Sequence, residues 1–252
     1  MEMMQTTHPL HYWYQMFSEP EDFGYGGVAR YRTWCIGAHK RKTTILADPY
    51  ELYEAIKARC TQESMTCIED YLVATTQEIQ QEAFHLALRR GKKFHPDIRD
   101  LRYLLTSREE ETRVQLDRRY LAKTGSLPET DHQLIYFLGD NASYGASWSA
   151  TSRKIPTFRV NAKTGIFWVP HLKRFLTAKE KLIAMGWPCT VELAKAMGLP
   201  LIGATDGKRA ADLLGTAMHW QTAAIMQLIA LSCFGPSDSM EDGFPQVIFR
   251  KV

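Results

Sequence analysis

Arg30 and Arg32 stand two residues apart, behind a glycine turn (Gly24, Gly26, Gly27) and at the mouth of an aromatic-rich run from Tyr31 to Ala38. In an extended chain such residues share a face, so both guanidinium forks would point to one side. Their planar donors there suit a phosphate or a base edge. The same pattern also describes two surface arginines on a hairpin. A second stretch, from Thr151 to Lys181, concentrates Arg153, Lys154, Arg159, Lys163, Lys173, Arg174, Lys179 and Lys181 against a single acid, Glu180. Phe158, Phe167, Trp168, His171 and Phe175 are interleaved with them. Cations alternating with aromatics are what nucleic-acid contact requires, although a solvated basic face has the same composition. A third stretch, Gly215-Thr216-Ala217-Met218-His219, is small enough for a ligand or another backbone to approach closely, and a helix-packing glycine is the plainer account of it.

Nucleophilic chemistry finds little to work with. Pro188-Cys189 is the only Pro-Cys dipeptide, and the sequence places no base or oxyanion donor beside that thiol. No catalytic residue is assigned. The five cysteines (Cys35, Cys60, Cys67, Cys189, Cys233) are odd in number and irregularly spaced, as expected of reduced thiols in an intracellular compartment, nuclear or cytoplasmic. No close CxxC pair offers a zinc site, so no metal is read from them.

The elements that must position these residues follow from local patterns. His11 to Phe17 and Tyr31 to Ala38 read as two strands, joined by a loop too long for a tight hairpin turn. Asp48-Pro49 opens a helix as N-cap and first residue. A second helix spans Thr76 to Arg90, with Gly91 beyond its end. A third spans Ser107 to Lys123, with Glu109, Glu110 and Glu111 at its start and Arg118, Arg119 and Lys123 at its end, complementing the macrodipole. Leu134 to Leu138 reads as a buried strand, and Ala142 to Gly165 as loop. Thr177 to Glu180 has capping-box spacing for a short helix that stops at Gly186-Trp187-Pro188. Another short helix covers Val191 to Met197. One long element runs from about Lys208 to Phe234, and its C-terminal half, Ala223 to Leu231, is apolar almost all round and therefore expected to be buried on most faces.

Across 252 residues, 45% hydrophobic and 23% charged, the composition excludes disordered and low-complexity classes. A net charge of +3 is too small to imply an anionic partner by itself. No apolar run reaches the roughly 18–20 residues that span a bilayer, so no membrane partner is expected. The expected class is α/β in the mixed α+β sense, in four units: 1–47 with two strands, 48–140 mostly helical, 141–205 carrying the basic block, and 206–252 closing the chain.

In order, the segments Gly27 to Gly37, Arg174 to Pro188 and Gly215 to His219 resemble the late blocks of DNA cytosine-5 methyltransferases. That family has a glycine turn with paired arginines before a strand, and then an Arg-x-Leu-Thr-x-x-Glu block ending in Gly-aromatic-Pro. A Gly-Asn-small-Val/Met block opens its last helix. The resemblance covers about residues 18 to 234, with nothing specific between Ala47 and Asn141. It implies a remnant of a doubly wound cofactor-binding sheet, a small target-recognition domain and a long C-terminal helix. It also implies DNA contact through Arg30, Arg32, Arg153, Lys154, Arg159, Lys163, Lys173 and Arg174, and a remnant cofactor contact at Gly215, Thr216 and Ala217. The family's glutamine before the arginines is missing, and Thr216 stands where the family has Asn. The Gly-rich turn for S-adenosylmethionine and the Glu-Asn-Val block for the flipped cytosine are not found. The expectation is therefore a non-catalytic DNA-recognition part. A second chain or an upstream segment would supply the nucleophile and the S-adenosylmethionine site, and none would be bound by these residues alone. The alternative is a methyltransferase-like fold retained as a structural subunit of a larger complex.

Overall fold

The computed structural model describes residues 2–141, 153–158, 165–204 and 207–237. A short α1 (Glu2–Thr7) leads into β1 (His11–Ser18), which pairs antiparallel with β2 (Arg32–His39). The register sets Met16 opposite Trp34 and Tyr14 opposite Ile36 on one face, and Phe17 opposite Thr33 and Gln15 opposite Cys35 on the other. β3 (Thr43–Ile45) follows and pairs with the distant β7 (Phe234–Pro236).

α2 (Pro49–Glu63) starts where expected, because the Asp48 carboxylate accepts from the Tyr50 and Glu51 amides. Capping boxes at Thr75/Glu78 and Thr106/Glu109 open α3 (Thr76–Arg89) and α4 (Ser107–Thr124). Past α4, Gly125 takes a left-handed conformation (φ 73°) that closes the helix. The expected strand at 134–138 is buried throughout, with β4 (Tyr136–Phe137) as its paired part. β5 (Phe167–Val169) and β6 (Arg174–Phe175) complete a three-stranded antiparallel sheet in the order β4-β5-β6. α5 (Ala178–Ala184), capped by Thr177, and α6 (Val191–Met197), capped by Thr190, follow.

Side chains alternate across the three-stranded sheet, so each of its faces carries a core. Tyr136, Trp168 and Phe175 meet Ala83, Ala87, Leu116 and Tyr120 of α3 and α4. Phe137, Phe167 and Val169 meet Ala178, Leu182 and Ile183 of α5, together with Ala210 and Leu214 of the helix described next. A third core sets Met16 of β1, with Trp34 and Ile36 of β2, against Tyr53 of α2 and Met226, Ile229 and Cys233. Helices with small antiparallel sheets make this an α+β chain.

The final element departs from expectation. It is not one helix but α7 (Gly207–Thr216) and α8 (Trp220–Cys233), interrupted at Ala217–His219. The break comes with tertiary partners: a buried arginine takes carbonyls at the end of α7, and the His219 side chain accepts from the Thr222 amide to start α8. Nor is α8 buried on most faces. It buries Thr222, Met226, Ile229 and Cys233, while Leu228 and Leu231 are 59% and 75% exposed. Most of the expected loop at 142–165 lies outside the described residues. Among those described, no helix is long and apolar enough to cross a membrane.

Candidate functional site

The glycine turn is built for close approach. A Cβ on Gly27 would lie 2.7 Å from the carbonyl carbon of Cys67 and 2.8 Å from the amide nitrogen of Ile68, so the turn lies directly on that backbone. The chain then runs beside residues 155–158. The Ile155 amide donates to the Gly27 carbonyl (2.8 Å), and the Thr157 hydroxyl donates to the Ala29 carbonyl (3.1 Å).

This seat carries Arg30 inward, where it is 2% exposed. Its Nη1 donates to the Phe158 carbonyl (2.6 Å), and its Nη2 to the carbonyls of Leu214 and Gly215 (3.2 Å each) and of Ala217. Carbonyls at a helix C-terminus carry partial negative charge and suit a cation. No carboxylate is among these acceptors. Burial, followed by the repulsion of Arg32, pulls the Arg30 guanidinium down to about 10, which leaves it charged at neutral pH.

The Arg174–Pro188 block reaches the same junction from another side. The Trp220 amide donates to the Met185 carbonyl (3.0 Å), Gln221 Nε2 donates to the Gly186 carbonyl (3.1 Å), and the Trp187 and Trp220 rings lie 4.9 Å apart. His219 packs edge-on against Tyr25 of the glycine turn, with ring centroids 4.4 Å apart. Burial drives its imidazole down to about 3, so it is a neutral packing and capping group. Three segments therefore meet at the α7–α8 junction, Arg30 reaching Ala217 across 187 residues.

The cations singled out from the sequence are used in different ways. Arg174 is buried and makes a two-pronged pair with Glu180 (2.8 and 2.7 Å). Lys154 pairs with Glu19 and Glu21, and Lys179 with Glu78. Lys173 is 3.8 Å from Glu129. Lys181 lies over the Phe167 ring, and desolvation lowers its ammonium from the ordinary lysine range. Arg32, half-buried, donates to the Tyr31 carbonyl, and Arg153 is exposed. No carboxylate engages either of these two among the described residues. Arg159 and Lys163 lie outside the described residues.

At the third segment, the Gly215 and Ala217 carbonyls are taken up by Arg30, and the exposed Thr216 turns its hydroxyl back to the Leu213 carbonyl (3.1 Å). These groups are engaged within the protein. Cys189 is buried, and burial pushes its thiol up to about 11, far from a thiolate at neutral pH. It lines a cavity of about 550 Å³ between the start of α3 and α6.

The second surface feature is the β1–β2 pair. The face of Phe17, Thr33 and Cys35 lies opposite the α8 core, and Phe17 stacks on Tyr31 with centroids 6.0 Å apart, both rings half-exposed. Among the described residues neither strand has a further neighbour. Sequence reasoning placed both strands but missed how Arg30 and Arg174 are used. The signal for Arg174 was present in the lone acid of its block, Glu180, which is both the capping-box acid and the arginine's partner. In comparison with known proteins, no family model matches the chain, and neither does any curated protein or solved structure.

Proposed function

We propose that this chain is the DNA-recognition part of a DNA cytosine-5 methyltransferase-like protein and is not catalytic by itself. Methyl transfer and S-adenosylmethionine binding would depend on a second chain. One observation carries the reading: the three segments that resemble that family's late blocks meet at the α7–α8 junction, where Arg30 takes the Leu214, Gly215 and Ala217 carbonyls and the Met185 and Gly186 carbonyls take Trp220 and Gln221. Convergence is what such blocks require if they descend from one site. In this reading β1–β2 with α8 is the remnant of the larger sheet, since a two-stranded piece is marginal without more cover. Arg30 and Arg174 hold the frame. Contact with DNA phosphates falls to Arg32 and Arg153, with Arg159 and Lys163 in the adjoining segment.

The test is binding of a fluorescent DNA duplex to the purified chain across a salt series. Affinity is expected to fall linearly on a log–log plot. Replacing Arg32 or Arg153 with glutamine should each reduce the slope by about 1. Binding that stays flat with salt, or slopes that ignore both substitutions, would remove DNA from the account. The pairing of Lys154, Arg174 and Lys179 with carboxylates favours a second reading in that event, a structural subunit of a larger assembly with no nucleic acid.

A further inference from the structure

We propose that Glu69, His132 and His171 form a binding site for a first-row divalent transition cation of the Zn2+ type. One ligand atom from each residue lies within 4.8 Å of the other two. The residues come from three separate turns: Glu69 from Ile68–Tyr71, His132 from the bend after Pro128–Thr130, and His171 from Pro170–Leu172 behind β5. Sequence proximity therefore does not explain their meeting. The histidine rings stack with centroids 4.6 Å and planes 6° apart. His132 Nδ1 donates to Glu69 Oε1 (2.9 Å), and Gln133 Nε2 donates to Oε2 (3.2 Å) and so orients the carboxylate. Among the described residues the buried His171 Nδ1 has no hydrogen-bond partner, a cost that calls for an account.

Two imidazoles and one carboxylate form a nitrogen–oxygen donor set that suits Zn2+, Ni2+ or Cu2+ and not the oxygen-only preference of Mg2+ or Ca2+. Metal–ligand bonds of about 2.0–2.1 Å put neighbouring donors roughly 3.3 Å apart. Ring and carboxylate rotations of about an ångström would close the set. Both Glu69 and His132 are exposed and have room to turn. To bind through Nδ1 the neutral His132 ring takes the tautomer with its proton on Nε2, so the ion replaces Glu69 as that nitrogen's partner with no net proton released, and water completes the coordination. Burial and the neighbouring His132 lower His171 from the ordinary histidine range, which keeps its ring neutral and its lone pair available. A bound ion would tie the segment before α3 to the turn after α4 and to the central sheet.

The experiment is calorimetric titration of the untagged, chelator-treated chain with Zn2+ alone, paired with Co2+ absorption in the visible range. Expected are one equivalent of Zn2+ bound and a higher Tm. His132→Ala and Glu69→Gln should each weaken Zn2+ binding about ten-fold or more. His171→Ala should do the same, but that half-buried ring is the substitution most exposed to a folding defect, so circular dichroism accompanies it and the two exposed positions carry the result. His8, His11 and His39 also lie near one another, with centroids 5.0 Å apart for His11 and His39, and His39→Ala serves as the control that must leave affinity unchanged. Absence of heat and of Co2+ absorption overturns the proposal. Binding that survives His132→Ala and Glu69→Gln but is lost with His39→Ala overturns it equally.

Discussion

Replacing Glu180 with alanine is expected to destabilise the chain by about 3–5 kcal/mol, as removal of one partner from a buried ion pair does elsewhere. Glu180 is fully buried and accepts from Arg174 Nη1 and Nη2, from the Thr177 amide and hydroxyl, and from the Ala74 amide at 3.2 Å. One carboxylate thus neutralises a buried guanidinium, caps α5 and holds the approach to α3. Its loss leaves the Arg174 charge uncompensated in a place water does not reach. Urea unfolding of Glu180→Ala should show the midpoint displaced with little change in slope. The double variant Arg174→Met with Glu180→Leu should recover much of the loss, because the charge is removed with its partner. A single variant within about 1 kcal/mol of the parent would mean that solvent reaches Arg174 and that the pair is an ordinary surface bridge.

Arg30→Ala is the second large effect, expected at about 3–4 kcal/mol, because a buried carbonyl left unsatisfied costs about 1–3 kcal/mol and the bonds to Phe158 and Leu214 are the buried ones. The carbonyls of Phe158, Leu214, Gly215 and Ala217 would all lose their donor. Arg30→Lys should recover less than half of this, since an ammonium has no planar fork to span acceptors on two segments. Hydrogen exchange gives a more local reading. Amides at the α7–α8 junction, Ala217 and Trp220 among them, should lose protection before those of α3 and α4. If Arg30→Ala unfolds at the parent's midpoint, the convergence of the three segments does not depend on it.

What the sequence made legible is local. Asp48, Thr75, Thr106 and Thr177 declare helix starts because an N-cap is a short-range bargain between one side chain and the next turn's amides. The strands at 11–18 and 32–39 were visible for the same reason, through residue type. The tertiary partners were not. Within the run from Lys208 to Phe234 only the small stretch from Gly215 marks the break at Ala217–His219, because the group that ends α7 is an arginine almost two hundred residues earlier. The pairing of β3 with β7 joins segments of similar separation over three residues each, too short for an alternating pattern to emerge. β5 and β6 were hidden likewise by their brevity. At the candidate site, Arg30 and Arg32 were singled out as a matched pair, and the alternation that should have set them on one side gives them different fates. Arg30 precedes the first paired residue of β2, Arg32, so the strand rule does not yet bind it.

The central claim is that methyl transfer depends on groups outside these residues. It is tested most directly by transfer of a labelled methyl group from S-adenosylmethionine to cytosine in duplex DNA, comparing the purified chain with the assembly that copurifies with it from native extract. The account predicts no label from the chain alone and label from the assembly. Cytosine methylation by the purified chain acting as a monomer would contradict it.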